Sequence, residues 1–161
     1  MLSNLKPVIY VQISPDRLCV RNVKTGKSIS DIPEIAIACG PKPGILGVGQ
    51  AARMHASNPL AKVINPFGHP RTLVSDFTSG EQLIREFVRR VQGHRWFSLA
   101  PVILMHPVGD PSGGFTQIEL RALREMAVGA GASEVFLYQG RSLSDPEILS
   151  GQFDRDDTDS G

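Results

Sequence analysis

The chain has 161 residues, with 17 lysines and arginines against 16 aspartates and glutamates. That length is enough for one domain with its own apolar core and no metal or disulfide staples. So even a charge balance gives no electrostatic footprint for nucleic acid, and no nucleic-acid partner is expected.

No apolar run reaches the roughly 18 residues that a membrane span needs. The opening MLSNLKPVIYV has neither a sustained apolar core nor a small-residue cleavage site, so a cytoplasmic location is expected. Cys19 and Cys39 lack C-x-x-C spacing, and buried free thiols are expected.

In chain order, Pro7–Ser14 is a strand rich in β-branched residues, turned by Pro15-Asp16, and Leu18–Val23 follows as its hairpin partner. Glu34–Ala38 is expected as a third strand and Ile45–Val48 as a short fourth, separated by the breaker run Gly40–Gly44. Gln50–His55 allows a helical turn, and Pro59–Thr72, with three prolines, is expected to be irregular. Leu83, Ile84, Phe87, Val88 and Val91 then form a helical apolar face, with a capping-box spacing at Thr78/Glu81 and a stop at Gly93. Val102–Met105 and Val135–Tyr138 are strands around a helix in which Ile118, Ala122, Leu123, Met126, Ala127 and Ala130 recur on one face. Thr116/Glu119 form the capping box of that helix. Strand, helix and strand with short links predict a βαβ unit with parallel strands.

The expected class is therefore α/β, a mixed sheet with helices on its faces over residues 1–140. Residues 141–161 are expected to be a divergent, disordered acidic tail, since after Gly151 Asp154, Asp156, Asp157 and Asp159 stand against Arg155.

Three stretches, ILGVGQAARM, VINPFGHPRTLVSDFTSGEQLIREFVRRV and PVILMHPVGDPSGGFTQIELRALREMAVGAGASEVFLY, together resemble the first half of the MreB family, the bacterial actin homologues that set rod shape. The matching positions include Gly49, Ala52, Pro66, Gly68, Asp76, Phe77, Pro111, Gly113, Thr116, Glu119, Arg121, Ala122 and Gly129–Ala132. The resemblance implies a ribonuclease-H-like fold, the actin-like subdomain I, with a five-stranded mixed sheet.

It also implies where a nucleotide would sit, and there the chain departs from the pattern. The family's phosphate turn is similar to Asp-x-Gly-Thr, whose glycine lets backbone N–H groups reach phosphate. Here it reads Gln12-Ile13-Ser14-Pro15, with an amide for the acid, a serine for the glycine and a proline that has no N–H. Where the family places Glu-Glu-Pro, this chain has Gln139-Gly140-Arg141. With the phosphate turn (Gln12, Ser14, Pro15) degenerate, no ATP or Mg²⁺ cofactor and no catalytic residue is expected. The alternative is an ATP-binding half completed by another chain.

Gly47-Val48-Gly49-Gln50-Ala51-Ala52 fits G-x-G-x-x-A, but a broken strand precedes it and no acid follows at the required distance, which favours a simple strand-to-helix bend. Gly109–Gly114 precedes a helix N-terminus, yet ends Gly-Phe-Thr rather than Gly-Lys-Ser/Thr, which favours a plain connecting loop. His55, His69, His94 and His106 lack ligand spacing, so no metal is expected.

Arg95, Trp96 and Phe97 place a cation and two aromatic rings in one connection, a combination suited to a membrane interface or to a partner. The resemblance points the same way, since MreB proteins are similar in carrying a small apolar loop there. The role expected is a non-catalytic structural or scaffolding protein in cell-shape control, self-associating or partner-bound at the inner face of the membrane. A soluble regulatory module is the remaining alternative.

Overall fold

A computed structural model describes residues 5–93 and 99–154. Its centre is β1 (Val8–Ile13), where successive side chains point to opposite faces of the sheet. Ile9, Val11 and Ile13 enter the larger core, and Val8 and Tyr10 enter a second, smaller one. β1 pairs antiparallel with β2 (Leu18–Asn22), which pairs antiparallel with β3 (Ser28–Asp31). On its other side β1 runs parallel to β7 (Val102–Pro107), and β7 runs parallel to β8 (Glu134–Leu137). The order is β3-β2-β1-β7-β8, a five-stranded mixed sheet as the family resemblance implies.

Two helices cover one face. α2 (Phe77–Gln92) buries Leu83, Ile84, Phe87, Val88 and Val91, the stripe read from its periodicity. α3 (Gln117–Gly129) buries Leu120, Leu123, Met126 and Ala127. The Thr116/Glu119 capping box forms as expected, with each side chain bonded to the other residue's backbone N–H. Arg85 ties the helices together, donating through Nε (3.1 Å) and Nη2 (2.7 Å) to the Gly129 carbonyl at the end of α3, where a cation also suits the helix dipole.

Several expectations are corrected. The third strand of the main sheet is β3, not Glu34–Ala38: the Lys27 turn leads directly into pairing with β2. β4 (Ile35–Ala38) instead centres a second, antiparallel sheet with β5 (Ile45–Val48) and β6 (Ala61–Ile64). β6 lies inside the stretch expected to be irregular, because Pro59 and Pro66 bracket it without entering it. α2 is capped by Asp76, whose side chain accepts from the Ser79 N–H, and Thr78 is left exposed within the first turn. Ile118 is 81 % exposed, because the buried stripe of α3 runs through Leu120 rather than through it. Cys19 and Cys39 are free, but Cys19 is only half-buried and Cys39 is exposed.

The largest departure is at the C-terminal end. Residues expected to be a disordered tail form α4 (Asp145–Ser150), opened by a second capping box from Ser144 and Glu147 with Pro146 in the first turn. Leu143 and Ile148 are buried against Val8, Tyr10, Val23, Leu104 and Tyr138. Acidic composition hid this segment, because two well-placed apolar side chains are enough to dock a strap that has no helical periodicity of its own.

The G-x-G-x-x-A stretch also resolves into packing. Gly49, at φ +64°, sits against the Asp31 side chain, which accepts from the N–H groups of Ile32 and Gln50 and so joins the two sheets. A Cβ at Gly49 would collide with that carboxylate. Ala52 is fully buried in the bend that follows.

Candidate functional site

Since β1, β7 and β8 run parallel, their carboxyl ends open on one edge of the sheet, the usual place for a ligand crevice in α/β folds. Three connections meet there: the turn 14–17, the loop 108–116 and the crossing 138–144. A cleft of about 290 Å³ lies between the first two and the 69–73 segment, lined by Pro15, Arg71, Val108, Asp110, Phe115 and Glu119 among others.

The turn after β1 is occupied with itself. The Ser14 N–H donates to the Arg17 carbonyl at 3.0 Å, the Arg17 N–H donates to Ser14 Oγ at 3.1 Å, and Pro15 has no N–H. The Pro15 carbonyl accepts from Asn65 Nδ2 at 2.9 Å, tying the turn to the second sheet. Gln12 points to the face opposite the helices, where its Nε2 donates to Ser142 Oγ at 2.9 Å. Gln12, Ser14 and Pro15 therefore come together at the edge, where the Ser14 and Arg17 N–H groups are bonded within the turn.

Glu119 closes the other side. Burial pushes its carboxyl up, but bonds from the Thr116 and Leu73 N–H groups and from the Thr116 and Thr72 hydroxyls outweigh it and hold the group below its ordinary range. The N-terminus of α3 is thus satisfied internally, and Gly109–Gly114 is an exposed connecting loop in front of it. At the third connection Arg141, in the region where the resemblance leads one to expect carboxylates, pairs with Glu147 of α4 (Nη1–Oε2 3.2 Å). That bond and the Ser144 N–H and hydroxyl bring the Glu147 carboxyl down to about 2. Among the described residues no group of three or more His, Cys, Asp or Glu is placed to hold a metal ion.

Beneath this edge lies a buried polar relay that the sequence did not disclose. His106, on β7, is 1 % exposed. Its Nε2 is 2.9 Å from the Gly140 carbonyl, which can only accept, so Nε2 carries the proton. Nδ1 then accepts from the Tyr10 hydroxyl at 2.6 Å, and that oxygen accepts in turn from the Leu143 N–H at 3.2 Å. Gly140, at φ +142°, turns the chain so that its carbonyl reaches the ring; a Cβ there would press on Tyr138 Oη. Burial lowers the His106 pKa and raises that of Tyr10, so both are neutral near pH 7. Tyr138 meets the imidazole edge-on at 4.9 Å, and Phe153 meets Tyr138 likewise at 5.8 Å. One signal in the sequence pointed this way: Tyr10, Gln12 and His106 interrupt two otherwise apolar strands at positions sharing one face.

Arg95, Trp96 and Phe97 lie outside the described residues. At the opposite edge of the sheet Lys6, Lys24, Lys27, Arg89 and Arg90 line two adjoining grooves of about 560 and 460 Å³, together with Gly93 and Leu99. Leu5 and Leu99 are exposed beside them, at 81 % and 48 %. Arg89 and Arg90 both face Glu86, and Lys24 Nζ donates to the Lys6 carbonyl.

Residues 23–143 match the family model described as MreB/Mbl protein. The chain is 38 % identical over 68 residues to the cell shape-determining protein MreB of Escherichia coli K12, covering 42 % of this chain and 18 % of that protein. It is 29 % identical over 100 residues to the Haemophilus influenzae Rd protein of the same name, covering 62 % and 27 % respectively. Among solved structures, MreB 5 of Spiroplasma citri bound to AMPPNP superposes with a TM-score of 0.66 at 16 % identity, over 85 % of this chain and 39 % of that one. The MamK double helical filament superposes with a TM-score of 0.59 at 11 % identity, over 89 % and 42 %. These last two likenesses concern the fold. The chain spans less than half the length of the proteins it matches.

Proposed function

The chain belongs to the MreB/Mbl family, and from that premise we propose that it is a non-catalytic structural member of it. In this reading it is a cytoplasmic module of cell-shape control that self-associates, or docks on a related filament, at the inner face of the membrane. The observation that carries the non-catalytic part is the turn after β1. Its proline has no N–H, its Ser14 and Arg17 N–H groups are bonded within the turn, and Gln12 is engaged with Ser142, which supports a turn that does not cradle phosphate. Self-association is supported by the structural likeness to a protein that forms a double helical filament.

The membrane part rests on charge and exposure. Five cations and two exposed leucines line the grooves at Gly93 and Leu99, the described residues that precede and follow 94–98 in the chain. Near an anionic surface each basic residue contributes about 1 kcal/mol. A single copy would bind weakly, and an assembly would multiply the contact.

Sedimentation and vesicle flotation of the purified chain, with and without ATP and Mg²⁺, test the proposal. Concentration-dependent assembly, co-flotation with anionic vesicles and indifference to nucleotide are expected. Assembly that requires ATP would favour the alternative of a nucleotide-binding half. A monomer that ignores vesicles would favour a soluble regulatory module.

A further inference from the structure

The relay under the carboxyl edge is built from groups that no nucleotide-binding or scaffolding role requires, and it fastens one particular segment. We propose that His106 is a proton-operated latch on the strap 138–153: protonation of its buried imidazole breaks the relay through Tyr10 and Gly140 and releases the strap from the sheet.

The geometry sets the direction of the switch. Nδ1 is the only ring nitrogen with a lone pair, because Nε2–H already donates to the Gly140 carbonyl. A proton arriving from solvent must bind Nδ1, and there it meets the Tyr10 hydroxyl at 2.6 Å, which now donates to that atom. The hydroxyl proton has to leave its acceptor, and the Tyr10 oxygen then faces two donors, Nδ1–H and the Leu143 N–H. The closed state is left with a buried hydroxyl proton without an acceptor and a buried imidazolium, both costly.

Among the described residues the groups around the ring offer no compensating carboxylate. β1 presents Tyr10, and Tyr138 follows β8. From β2, Arg21 lies over the Tyr10 ring at 5.5 Å and is paired with Asp145 of α4 at 2.6 Å, an ion pair without hydrogen-bond geometry. Arg141 is held by Glu147, whose pKa of about 2 keeps that pair charged throughout the range of interest. Opening the strap is the available relief. It frees the Gly140 carbonyl and the Leu143 N–H to water, solvates the imidazolium, and uncovers Val8, Tyr10, Leu104 and Tyr138.

The sign of the pH dependence follows. In the opened state His106 has an ordinary pKa of about 6.5, and the closed state holds it lower, so the open state binds more protons and gains as pH falls. If the closed state takes up no proton, the open population rises about 30-fold between pH 7.5 and pH 5.0.

Residue-resolved hydrogen exchange on the full chain tests this. The readout is the opening equilibrium at the Leu143 amide relative to that at Leu104 in β7, with intrinsic exchange rates divided out. The expected result is a rise in that ratio as pH falls through the window in the natural sequence, reaching about 30-fold at most. His106→Gln, which offers an acceptor and an N–H donor but no site for the extra proton, should show a flat ratio. A flat ratio in the natural chain would overturn the latch, as would an undiminished rise in His106→Gln. Should His106→Gln fail to fold, Tyr10→Phe keeps the ring and removes only the hydroxyl. Leu143 opening is then expected to be at least tenfold higher already at pH 7.5, and unchanged protection would overturn the proposal.

Discussion

The two faces of the central sheet are held by different physics. The face under α2 and α3 is a continuous apolar core, in which Ile9, Val11, Ile103 and Met105 meet Leu83, Phe87, Leu123 and Met126. The face under the 138–153 strap has a smaller apolar core and a polar centre, the chain from Leu143 through Tyr10 and His106 to Gly140. Hydrophobic burial tolerates small changes in position and is insensitive to pH. A buried relay depends on direction and protonation, so it holds one arrangement and lets go under one condition.

The comparison is broken most directly by cavities. Phe87→Ala, at a fully buried site on the helix face, is expected to cost about 3–5 kcal/mol of global stability, read as a lower midpoint in urea with all amides losing protection together. Ile148→Ala, fully buried on the strap face, should cost about 2 kcal/mol, the low end for such a change. Its effect should be confined to the strap, so exchange at residues 143–151 rises while β1 and β7 are spared. Equal, global losses from both substitutions would show that the faces are one cooperative unit.

Those two sites also divide what the sequence made legible. Phe87 lies on a stripe with helical period, and the periodicity named the five large apolar residues that α2 buries, though not Ser79 and Gly80. The α3 capping box and the strands β1, β2, β7 and β8 were likewise local patterns, whereas the count of five strands came from the family resemblance. Ile148 has no periodic neighbours, and its burial depends on a strap returning across the sheet. The relay joins Tyr10 to His106 and Leu143, 96 and 133 residues away in the chain, and no local pattern encodes such pairs. β3 and β6 were missed for a simpler reason, being four residues long and held by pairing rather than by an apolar signature of their own. At the candidate site the departures at Gln12, Ser14 and Pro15 were visible as letters, but that the Ser14 and Arg17 N–H groups bond within the turn was not.

Acid should separate the faces again, more gently. Burial raises the Glu119 carboxyl, but its four hydrogen bonds hold the folded-state value below the unfolded one, near 4.5. Its contribution is therefore present above pH 4.5 and is lost as pH falls through the lower folded value. In an acid-unfolding series the natural chain should lose stability there and Glu119→Gln should lose less, well below the window in which the strap responds. The smallest effect is expected at Arg121→Ala. Its pair with Glu125 is 82 % and 57 % exposed, and thermal melts should shift by no more than about 0.5 kcal/mol implies. A larger shift would place Arg121 in a contact between copies of the chain.

The central claim is that the actin-like fold persists here around a phosphate turn closed on itself. Calorimetric titration of the folded chain with ATP and Mg²⁺ at millimolar concentrations tests it most directly. No detectable heat of binding is predicted, alongside a circular dichroism spectrum that shows the protein intact. Saturable binding with a micromolar Kd would contradict the claim and return a nucleotide-dependent switch to first place.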